Sequence, residues 1–368
     1  MMLTINSFLK VKTLDDMMKD KSDIFSFIRL FAALLVLYAH SYHIFGLGAD
    51  PLSRKIGFYT GTLAVYMFFT ISGFFILQSA IKRSFVEYTV ARITRIFPAL
   101  FIANILTVFV IIPLAEKVDY FSFVSMSSSW DYIEVNSLLQ TVLFSLPDIF
   151  TNNPDHAING SLWTLPVEVR AYIAALLFVA LGMTSTQGRY NSFFIIFVLM
   201  NSLFPNVLEA VFPIPGSVSL IYFFCIGGVL YINRCFILVS PLLMAFVAII
   251  LLHYRFAINP LIVPFLVGYL VISSGYLLGV LKFLNFKHDY SYGLYLYAYP
   301  ISQMSFSLLS GHGFVLYFIF IFCATFATAF FSWHCVEKPA IHYARTLIIP
   351  YISLMVRRFN MISVRDGS

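Results

Sequence analysis

The sequence predicts an all-α, polytopic integral membrane protein with about ten transmembrane helices and both termini in the cytoplasm. Of its 368 residues, 60% are hydrophobic and only 11% are charged. The mean hydropathy is +0.87, a value that excludes a pair of soluble domains of this total length. Aromatic residues make up 18% of the chain, which suits helices that pack in lipid and anchor at its surfaces.

The helix count comes from apolar runs of about 20 residues, the length that crosses a bilayer. Ten such runs fall near residues 24–45, 60–80, 95–113, 165–182, 191–205, 217–232, 236–252, 260–280, 290–309 and 313–335. The fifth, sixth and seventh runs are short and weakly separated, so nine or eleven spans remain open. An even number of spans places both termini on one side of the membrane.

The distribution of Lys and Arg indicates which side that is. With the N-terminus inside, the outer segments hold only Arg54, Lys55, Lys117 and Arg255. The inner segments hold Lys10, Lys12, Lys19, Lys21, Arg29, Lys82, Arg83, Arg92, Arg95, Arg189, Arg234, Lys282, Lys287, Lys338, Arg345, Arg357, Arg358 and Arg365. The positive-inside rule therefore predicts a multi-pass protein of the cell (inner) membrane, in contact with membrane lipid.

The same topology divides the chain into three parts. Residues 1–22 form a cytoplasmic N-terminal segment, 23–345 a membrane domain, and 346–368 a cytoplasmic tail. Residues 114–160 form an outer loop, which is either a binding surface or a solvated loop with a short helix near 136–146. The net charge of +6 follows from topology, and no nucleic-acid partner is expected.

The four cysteines show no spacing typical of a metal site or a disulfide framework. They fall within or beside apolar runs, and we expect them to be packing residues. No metal site and no permanently bound cofactor are predicted.

The stretch "RLFAALLVLYAH", residues 29–40, has an ionisable residue at each end. Arg29 and His40 are eleven residues apart, which places them within roughly 20° on one helix face and about 16 Å apart along the axis. The small residues Ala33 and Val36 lie between them, so another helix or an extended ligand could approach this stripe. Arg29 also fits a simple cytoplasmic anchor. His40 is a functional candidate because ionisable groups are costly inside a span, although a packing histidine is the alternative.

Two further motifs carry charged residues near helix ends. In "ARITRIFP", Arg92 and Arg95 share one helix face, where two guanidiniums can clamp phosphates; ordinary positive-inside charge is the alternative. In "NGSLWTLPVEVRAY", Thr164 begins a helix and Glu168 falls in or just after its first turn. Glu168 is either functional or simply stabilised by the helix dipole.

Two motifs lie near the end of the chain. In "DYSYGLYLYAYP", Tyr292, Tyr295 and Tyr299 recur at helical spacing, an aromatic face that is more often packing than chemistry. In "SWHCVEKP", a proline is expected to end the last helix just after Glu337. We interpret the segment as a stop signal at the cytoplasmic end of the last helix, in which a charged residue is available for a salt bridge.

In this order along ten apolar spans, the motifs resemble the membrane acyltransferase family called acyltransferase 3. The resemblance covers about residues 20–345 and rests on six blocks. These are the Arg29–His40 spacing, "FFTISGF" at 68–74, the RxxR pattern at Arg92 and Arg95, "SLWTLPVE" at 161–168, "SYGLYL" at 291–296 and "EKP" at 337–339. Many relatives have a histidine shortly before the proline of the tyrosine-rich block, where this chain has Tyr297.

The resemblance implies transfer of an acyl group, most often acetyl from acetyl-CoA, to a hydroxyl of an extracytoplasmic glycan. The acceptor would be O-antigen, exopolysaccharide or a related surface glycan, or a lipid-linked oligosaccharide. The chain resembles the stand-alone members of the family, which carry no fused esterase-like domain. Acetyl-CoA or another acyl-CoA is the expected donor, as a substrate.

The residues receive the following roles in this hypothesis. His40 accepts the hydroxyl proton, directly or through an acyl-histidine, and Glu168 orients His40 or binds the sugar. Arg29, Arg92 and Arg95 hold the donor phosphates. Ser72 and Gly73 allow close backbone approach to the donor; a helix break needed for packing is the alternative for these two residues. Trp163, Tyr292 and Tyr295 contact the acceptor.

Two other functions fit the same pattern. A polytopic transporter or flippase without transferase chemistry would also hold a buried histidine and a carboxylate. The chain shows no evident inverted repeat in support of it. The remaining possibility is a non-catalytic relative that only binds a surface glycan.

Overall fold

The computed structural model describes residues 11–20, 22–259, 261–284 and 286–355. The predicted all-α membrane class is confirmed, because the described chain is mostly helical and carries several apolar membrane-span candidates. Its two short strands, β1 (Lys12–Thr13) and β2 (Leu238–Val239), pair antiparallel. Much of the predicted terminal segments lies outside the described residues, including Lys10, Lys21, Arg357, Arg358 and Arg365.

Seventeen α-helices are described in these ranges. They are α1 (Leu14–Lys19), α2 (Phe25–Ile44), α3 (Pro51–Ile56), α4 (Thr60–Lys82), α5 (Phe85–Leu106), α6 (Ile112–Glu116), α7 (Tyr120–Ser125), α8 (Ser127–Leu138), α9 (Thr164–Ala180), α10 (Gln187–Leu203), α11 (Pro205–Val211), α12 (Ser217–Ile232), α13 (Pro241–His253), α14 (Val263–Leu277), α15 (Ser291–Leu309), α16 (Phe314–Ser332) and α17 (Lys338–Tyr343). Short 3₁₀ turns cover Gly160–Trp163, Leu278–Val280, Lys282–Leu284 and Ser310–His312, and π-helical turns cover Thr107–Ile111, Trp333–Glu337 and Ala344–Ile348.

Each of the ten apolar runs coincides with a helix, but the helices differ in length and apolarity. Within the described ranges, six are long and apolar enough to cross a membrane: Phe25–Ile44, Thr60–Lys82, Phe85–Glu116, Gly160–Ala180, Val263–Val280 and Phe314–Met355. A seventh span results if α10 and α11, which meet at a 110° bend, are one broken span. The exact count of ten and the cytoplasmic termini therefore stay predictions.

The last span departs from the expectation that a proline ends it. The helix runs from Phe314 through Pro339 to Met355. A π-helical turn at Trp333–Glu337 comes directly before α17, so Pro339 falls in the first turn of a new α-helical segment. A proline at that position removes no hydrogen bond that the helix needs, and the chain continues.

Close helix contacts fix the core of the bundle. A side chain at Gly73 of α4 would come within 1.9 Å of the Phe224 carbonyl oxygen, and one at Gly227 within 2.2 Å of the Thr70 carbonyl oxygen. Helices α4 and α12 therefore touch through their backbones. On the other side of the core, Ala33 of α2 packs with Leu294 of α15 and Ala329 of α16.

The bundle has two ends, which we call the arginine end and the loop end. The arginine end is where α2 and α5 begin and α4 ends, and it carries Arg29 and Arg92. The loop end is the opposite end, formed by residues 45–59, 117–159 and 204–216 with the segment after α13.

The longest loop, residues 117–159, has its own small core of residues such as Phe123, Tyr132 and Phe150. Its helices are α7 and α8, and the short helix expected near 136–146 is not formed. Helix α8 ends at Leu138 because Asn136 bonds both the amide and the carbonyl of Leu143, which replaces further helical turns by a side-chain-closed loop.

Candidate active site

A cavity of about 880 Å³ extends into the bundle from the arginine end. Seven of the ten predicted site residues line it, namely Arg29, Ser72, Arg92, Arg95, Glu168, Tyr292 and Tyr295, whereas His40, Gly73 and Trp163 do not. The lining carries more positive than negative side chains. The positive ones are Arg29, Lys82, Arg83, Arg92, Arg95 and Arg345, and the negative ones are Asp23, Glu87, Glu168 and Asp289.

Helix α4 gives the cavity its length. Lining residues occur along α4 from Lys82 at the arginine end to Val65 deep in the bundle. Seventeen residues at 1.5 Å per residue correspond to about 26 Å. The stripe from Arg29 to His40 is not an open groove, because Ala33 packs against α15 and α16. An extended ligand would therefore follow α4 rather than α2.

Arg95 is held by two carboxylates. Its Nη1 lies 2.6 Å from Oε2 of Glu337, which is fully buried, and its Nη2 lies 3.0 Å from Oδ2 of Asp289. Its guanidinium also lies over the rings of Tyr292 and Trp333, at 5.3 and 5.8 Å. Arg95 thus ties α5 to the start of α15 and to the last helix.

Arg92 and Arg29 make fewer ion pairs and hydrogen bonds than Arg95 does. The buried Nε of Arg92 has no hydrogen-bond partner within the described part of the chain, and its guanidinium lies 5.9 Å from the Tyr172 ring. Arg29 shares Asp289 with Arg95 at the longer distance of 3.5 Å. Of the three arginines expected to bind phosphate, these two line the cavity without a hydrogen bond to a carboxylate among the described residues.

Asp289 lies two residues before the start of α15, and its carboxylate contacts both Arg29 and Arg95. Burial raises the pKa of its carboxyl, but Arg95, Arg29 and the hydrogen bonds from Ser291 outweigh that effect and hold the pKa below 3.8. The carboxylate is therefore charged at neutral pH and compensates positive charge of both Arg29 and Arg95.

Deep in the cavity, Glu168 accepts hydrogen bonds from two hydroxyls. Ser72 Oγ donates at 3.3 Å, and the Tyr172 hydroxyl donates to the same oxygen. Among the described residues, Glu168 has no hydrogen bond to His40. The Tyr292 hydroxyl donates to the Ile96 carbonyl at 2.9 Å, so this ring is fixed between α15 and α5.

Tyr295 closes the deep end. Its hydroxyl lies 2.5 Å from Thr164 Oγ1 and 2.6 Å from the Ser161 carbonyl, to which it donates. Its ring also packs edge to face against Phe68 at 6.0 Å. Since Phe68 and Thr164 line the cavity too, these three side chains separate it from the loop end.

His40 lies beyond that closure, about one turn from the end of α2. Its ring packs edge to face on Tyr299 at 4.9 Å, and its buried Nδ1 has no hydrogen-bond partner among the described residues. The Tyr299 hydroxyl donates to Oδ2 of Asp155, and His43 Nε2 lies 3.2 Å from the same oxygen. His40, His43, Tyr299 and Asp155 form the histidine cluster.

The loop carrying Asp155 is fastened to α15. Gln303 Nε2 donates to the carbonyls of Asp155 and Ala157 at 2.7 and 2.6 Å, and Asn153 donates to Gln303 Oε1 at 2.8 Å. Gln303 and Asn153 are buried. These buried bonds fix the position of the Asp155 carboxylate relative to the two histidines.

The distance between cavity and histidine cluster follows from helix pairing. A side chain at Gly61 of α4 would meet Ala39 of α2 at 3.4 Å, so antiparallel pairing places His40 level with Thr60. Val65, the deepest cavity residue on α4, is five residues away, or about 7 Å along the axis. On α15, Tyr295 of the cavity lies one turn before Tyr299 of the histidine cluster.

Two predicted site residues have other surroundings. Gly73 does not line the cavity and is buried against the backbone of α12, as the packing alternative expects. Trp163 lies at the loop end, where its ring faces Gly216. It borders the region before α12 and not the cavity of Arg29.

Sequence reasoning missed several residues of this region. The position of Asp289, two residues before the "SYGLYL" block, is a signal that could have identified it. Glu337 was interpreted only as a salt-bridge residue at the end of the last span. Asp155 and Gln303 carried no usable signal, because an acidic loop residue and a helical glutamine acquire their roles only when the loop folds onto α15.

Comparison with known proteins gives consistent results. The family profile described as acyltransferase domain matches residues 23–334. The chain is 30% identical over 334 residues to an O-acetyl transferase of Shigella phage Sf6, which covers 86% of this chain and 96% of the phage protein. It is 41% identical over 80 residues to nodulation protein 10 of Rhizobium leguminosarum bv. viciae, 21% of this chain and 22% of that protein. No solved structure matches the chain.

Proposed function

This chain belongs to the acyltransferase family, and on that premise we propose that it is an O-acetyltransferase of the cell (inner) membrane. It moves acetyl from cytoplasmic acetyl-CoA to a hydroxyl of an extracytoplasmic glycan, such as O-antigen, exopolysaccharide or a lipid-linked oligosaccharide. The arginine end faces the cytoplasm and the loop end faces outward. The single observation that carries this proposal is the positively lined cavity that runs from the arginine end toward His40.

The donor occupies the cavity with its phosphates at the arginine end. Arg92 and Arg29 supply the phosphate contacts, because both line the cavity and Arg95 is already engaged by two carboxylates. Guanidiniums bind phosphate through paired, charge-assisted hydrogen bonds. The pantetheine arm follows α4 and brings the thioester toward Ser72 and Val65.

The acceptor reaches the histidine cluster from the loop end. His40 takes the proton from the attacking hydroxyl, whose oxygen forms the new ester bond as the thioester C–S bond breaks and the CoA thiolate leaves with the electron pair. A positioned base contributes about 10² to 10⁴ in rate, and a histidine suits neutral pH. The Tyr295 side chain must leave Thr164 for the two substrates to meet.

Glu168 acts on the donor side of this barrier in the proposal. It accepts bonds from Ser72 and Tyr172 and has no bond to His40 among the described residues. Its carboxylate therefore supports the deep wall of the donor cavity, and the positioning of His40 falls to Tyr299 and the Asp155 loop.

Titration of the purified full chain in lipid nanodiscs with acetyl-CoA tests the donor assignment. We expect saturable binding, weakened at least tenfold in the Arg29→Ala, Arg92→Ala double variant. Arg170→Ala is the matched control, because Arg170 is exposed and bonds the Gln140 carbonyl outside the cavity. Equal binding by both variants would contradict the assignment.

The same preparation separates an enzyme from a transporter. An acetyltransferase releases CoA from acetyl-CoA when a surface polysaccharide extract is added, and the acetyl label appears on the glycan. A carrier or flippase leaves acetyl-CoA intact and acetylates nothing.

A further inference from the structure

A second cavity, of about 650 Å³, opens at the loop end. It lies between the start of α4, the bend from α10 to α11, and the starts of α12 and α14. Its volume falls in the range of about 300 to 1,000 Å³ that is typical of small-molecule sites. We call it the aromatic cavity, and it shares no lining residue with the cavity at the arginine end.

Aromatic rings form much of its wall. Tyr66 and Phe223 are stacked with ring centroids 3.9 Å apart, and Phe58 and Phe256 are stacked at 5.4 Å. Polar groups interrupt the rings at a few places, chiefly Glu209, Asn201 and Ser219. The carboxylate and amide oxygens accept hydrogen bonds from hydroxyl donors, while the rings offer flat apolar faces.

This combination fits a sugar ring better than a lipid chain. One face of a pyranose is formed by C–H bonds and packs on an aromatic ring, whereas its edge carries hydroxyls that need acceptors. A hydrocarbon chain would leave Glu209 and Asn201 without a matching group. A cavity with aromatic faces and few polar acceptors therefore selects for carbohydrate.

The backbone at the mouth of the cavity is strained in a way that fixes one ring pair. Arg255 and Phe256 have φ angles of 48° and 59°, a conformation uncommon for bulky residues. Gly57 also has positive φ, at 71°, and a side chain there would meet Arg255 Cβ at 3.2 Å. The two loops thus pack tightly and hold Phe256 against Phe58. Such strain concentrates at ligand sites.

The aromatic cavity is connected to the histidine cluster by one short turn. In the 3₁₀ turn Gly160–Trp163, Gly160 faces the Tyr299 ring, where a side chain would come within 2.7 Å. Trp163, at the other end, faces Gly216 of the aromatic cavity, where a side chain would come within 3.3 Å of its ring. The turn rises about 2 Å per residue, so the two sites are separated by about 6 Å along it.

We propose that the aromatic cavity binds a pyranose ring of the acceptor glycan and presents a neighbouring hydroxyl to the histidine cluster across the Gly160–Trp163 turn. This inference rests on the proposed acetyltransferase function and adds the binding site of its acceptor. Phe58 and Phe256 hold the ring face, and Glu209 and Asn201 accept its hydroxyls.

The test uses the full chain in nanodiscs, labelled and applied to an array of bacterial surface glycans. The wild type is expected to retain a defined subset of pyranose-containing glycans. Phe58→Ala and Glu209→Gln should reduce that signal at least tenfold, and Phe58→Tyr, which keeps a ring, should restore it. Phe193→Ala is the control, because Phe193 packs edge to face on Phe178 outside the aromatic cavity.

A second arm distinguishes a free polysaccharide from a lipid-linked acceptor and from lipid alone. A retained glycan is offered either free or attached to undecaprenyl diphosphate, and tighter binding of one form identifies the source of the sugar. Sugar-free undecaprenyl phosphate should not compete. Competition by it, unchanged glycan binding in Phe58→Ala, or no glycan retained by the wild type would overturn the proposal.

Acetyl-CoA titration of the same samples keeps the two proposals apart. Unchanged donor binding in Phe58→Ala and Glu209→Gln shows that the chain is folded and that only the acceptor site is changed. If these two variants bind acetyl-CoA normally and retain glycan as well as the wild type does, the acceptor site in the aromatic cavity is contradicted and the proposed function is not. Failure of the wild type to bind acetyl-CoA contradicts the proposed function.

Discussion

Arg95 Nη1 lies 2.6 Å from Oε2 of Glu337, a carboxylate with no exposed surface. The contact joins α5 to the last long helix. Because Asp289 contacts the same guanidinium, one arginine connects three segments that are distant in sequence. We infer that Arg95 chiefly maintains the shape of the donor cavity.

Glu337→Gln is therefore expected to destabilise the protein. The substitution leaves part of the Arg95 charge uncompensated in a buried position, and breaking a buried pair costs about 3 to 5 kcal/mol. We expect the lower end, because Asp289 remains. Thermal unfolding of the purified protein in detergent measures this effect. Glu134→Gln, at an exposed residue of α8, is the control, and equal melting temperatures for the two variants would refute the structural role.

Arg92→Ala should impair donor binding without destabilising the fold. Arg92 has an unpartnered Nε and lines the cavity, and a charge-assisted hydrogen bond contributes about 1.5 to 3 kcal/mol. The KM for acetyl-CoA should rise by roughly 10- to 100-fold, with a melting temperature near that of the wild type. An unchanged KM would show that the phosphates bind elsewhere.

Asp289 makes stability dependent on pH in the acid range. Its pKa lies below the reference value of 3.8 in the folded chain, so its contribution is fully present above the unfolded pKa. That contribution is lost as the pH falls through the folded pKa. Comparing wild type with Asp289→Asn from pH 7 to pH 3, we expect a stability difference that shrinks below about pH 4. A difference that is constant over this range would contradict the ion-pair assignment.

Tyr295 is expected to act as a barrier between donor and water. Tyr295→Ala removes both the ring that packs on Phe68 and the hydroxyl that meets Thr164, and water can then reach the thioester. Acetyl-CoA hydrolysis without acceptor should rise several-fold while transfer to glycan falls. Tyr295→Phe keeps the ring and should hydrolyse acetyl-CoA at the wild-type rate, so a rise in both variants would argue against a steric barrier.

Much of this fold follows from local patterns in the sequence. Apolar runs predicted a helix at each of ten places, since burying a long apolar stretch in lipid requires satisfied backbone hydrogen bonds. The start of α9 at Thr164 also followed from its local sequence. The passage of the last helix through Pro339 did not, because it depends on a π-helical turn with no sequence signature.

The sequence predicted which residues line the donor cavity better than it predicted which of them form ion pairs. Arg92 and Arg95 looked equivalent in the RxxR pattern, and only the approach of Glu337 and Asp289 makes one of them an ion-pair centre. Arg29 and His40 lie on one helix, α2, yet α15 and α16 pack against Ala33 between them. Such differences arise from long-range packing, which helical periodicity does not contain.

The central claim is that His40 carries the chemistry at the outer end of the donor path. Its most direct test is mass spectrometry of the surface polysaccharide from cells that express wild type, His40→Ala or His156→Ala, with protein levels matched by immunoblot. His156 is an exposed histidine of the neighbouring loop and serves as the control. We expect acetyl groups on the glycan with wild type and His156→Ala, and a loss of at least about 100-fold with His40→Ala. Near-normal acetylation by His40→Ala would contradict the account.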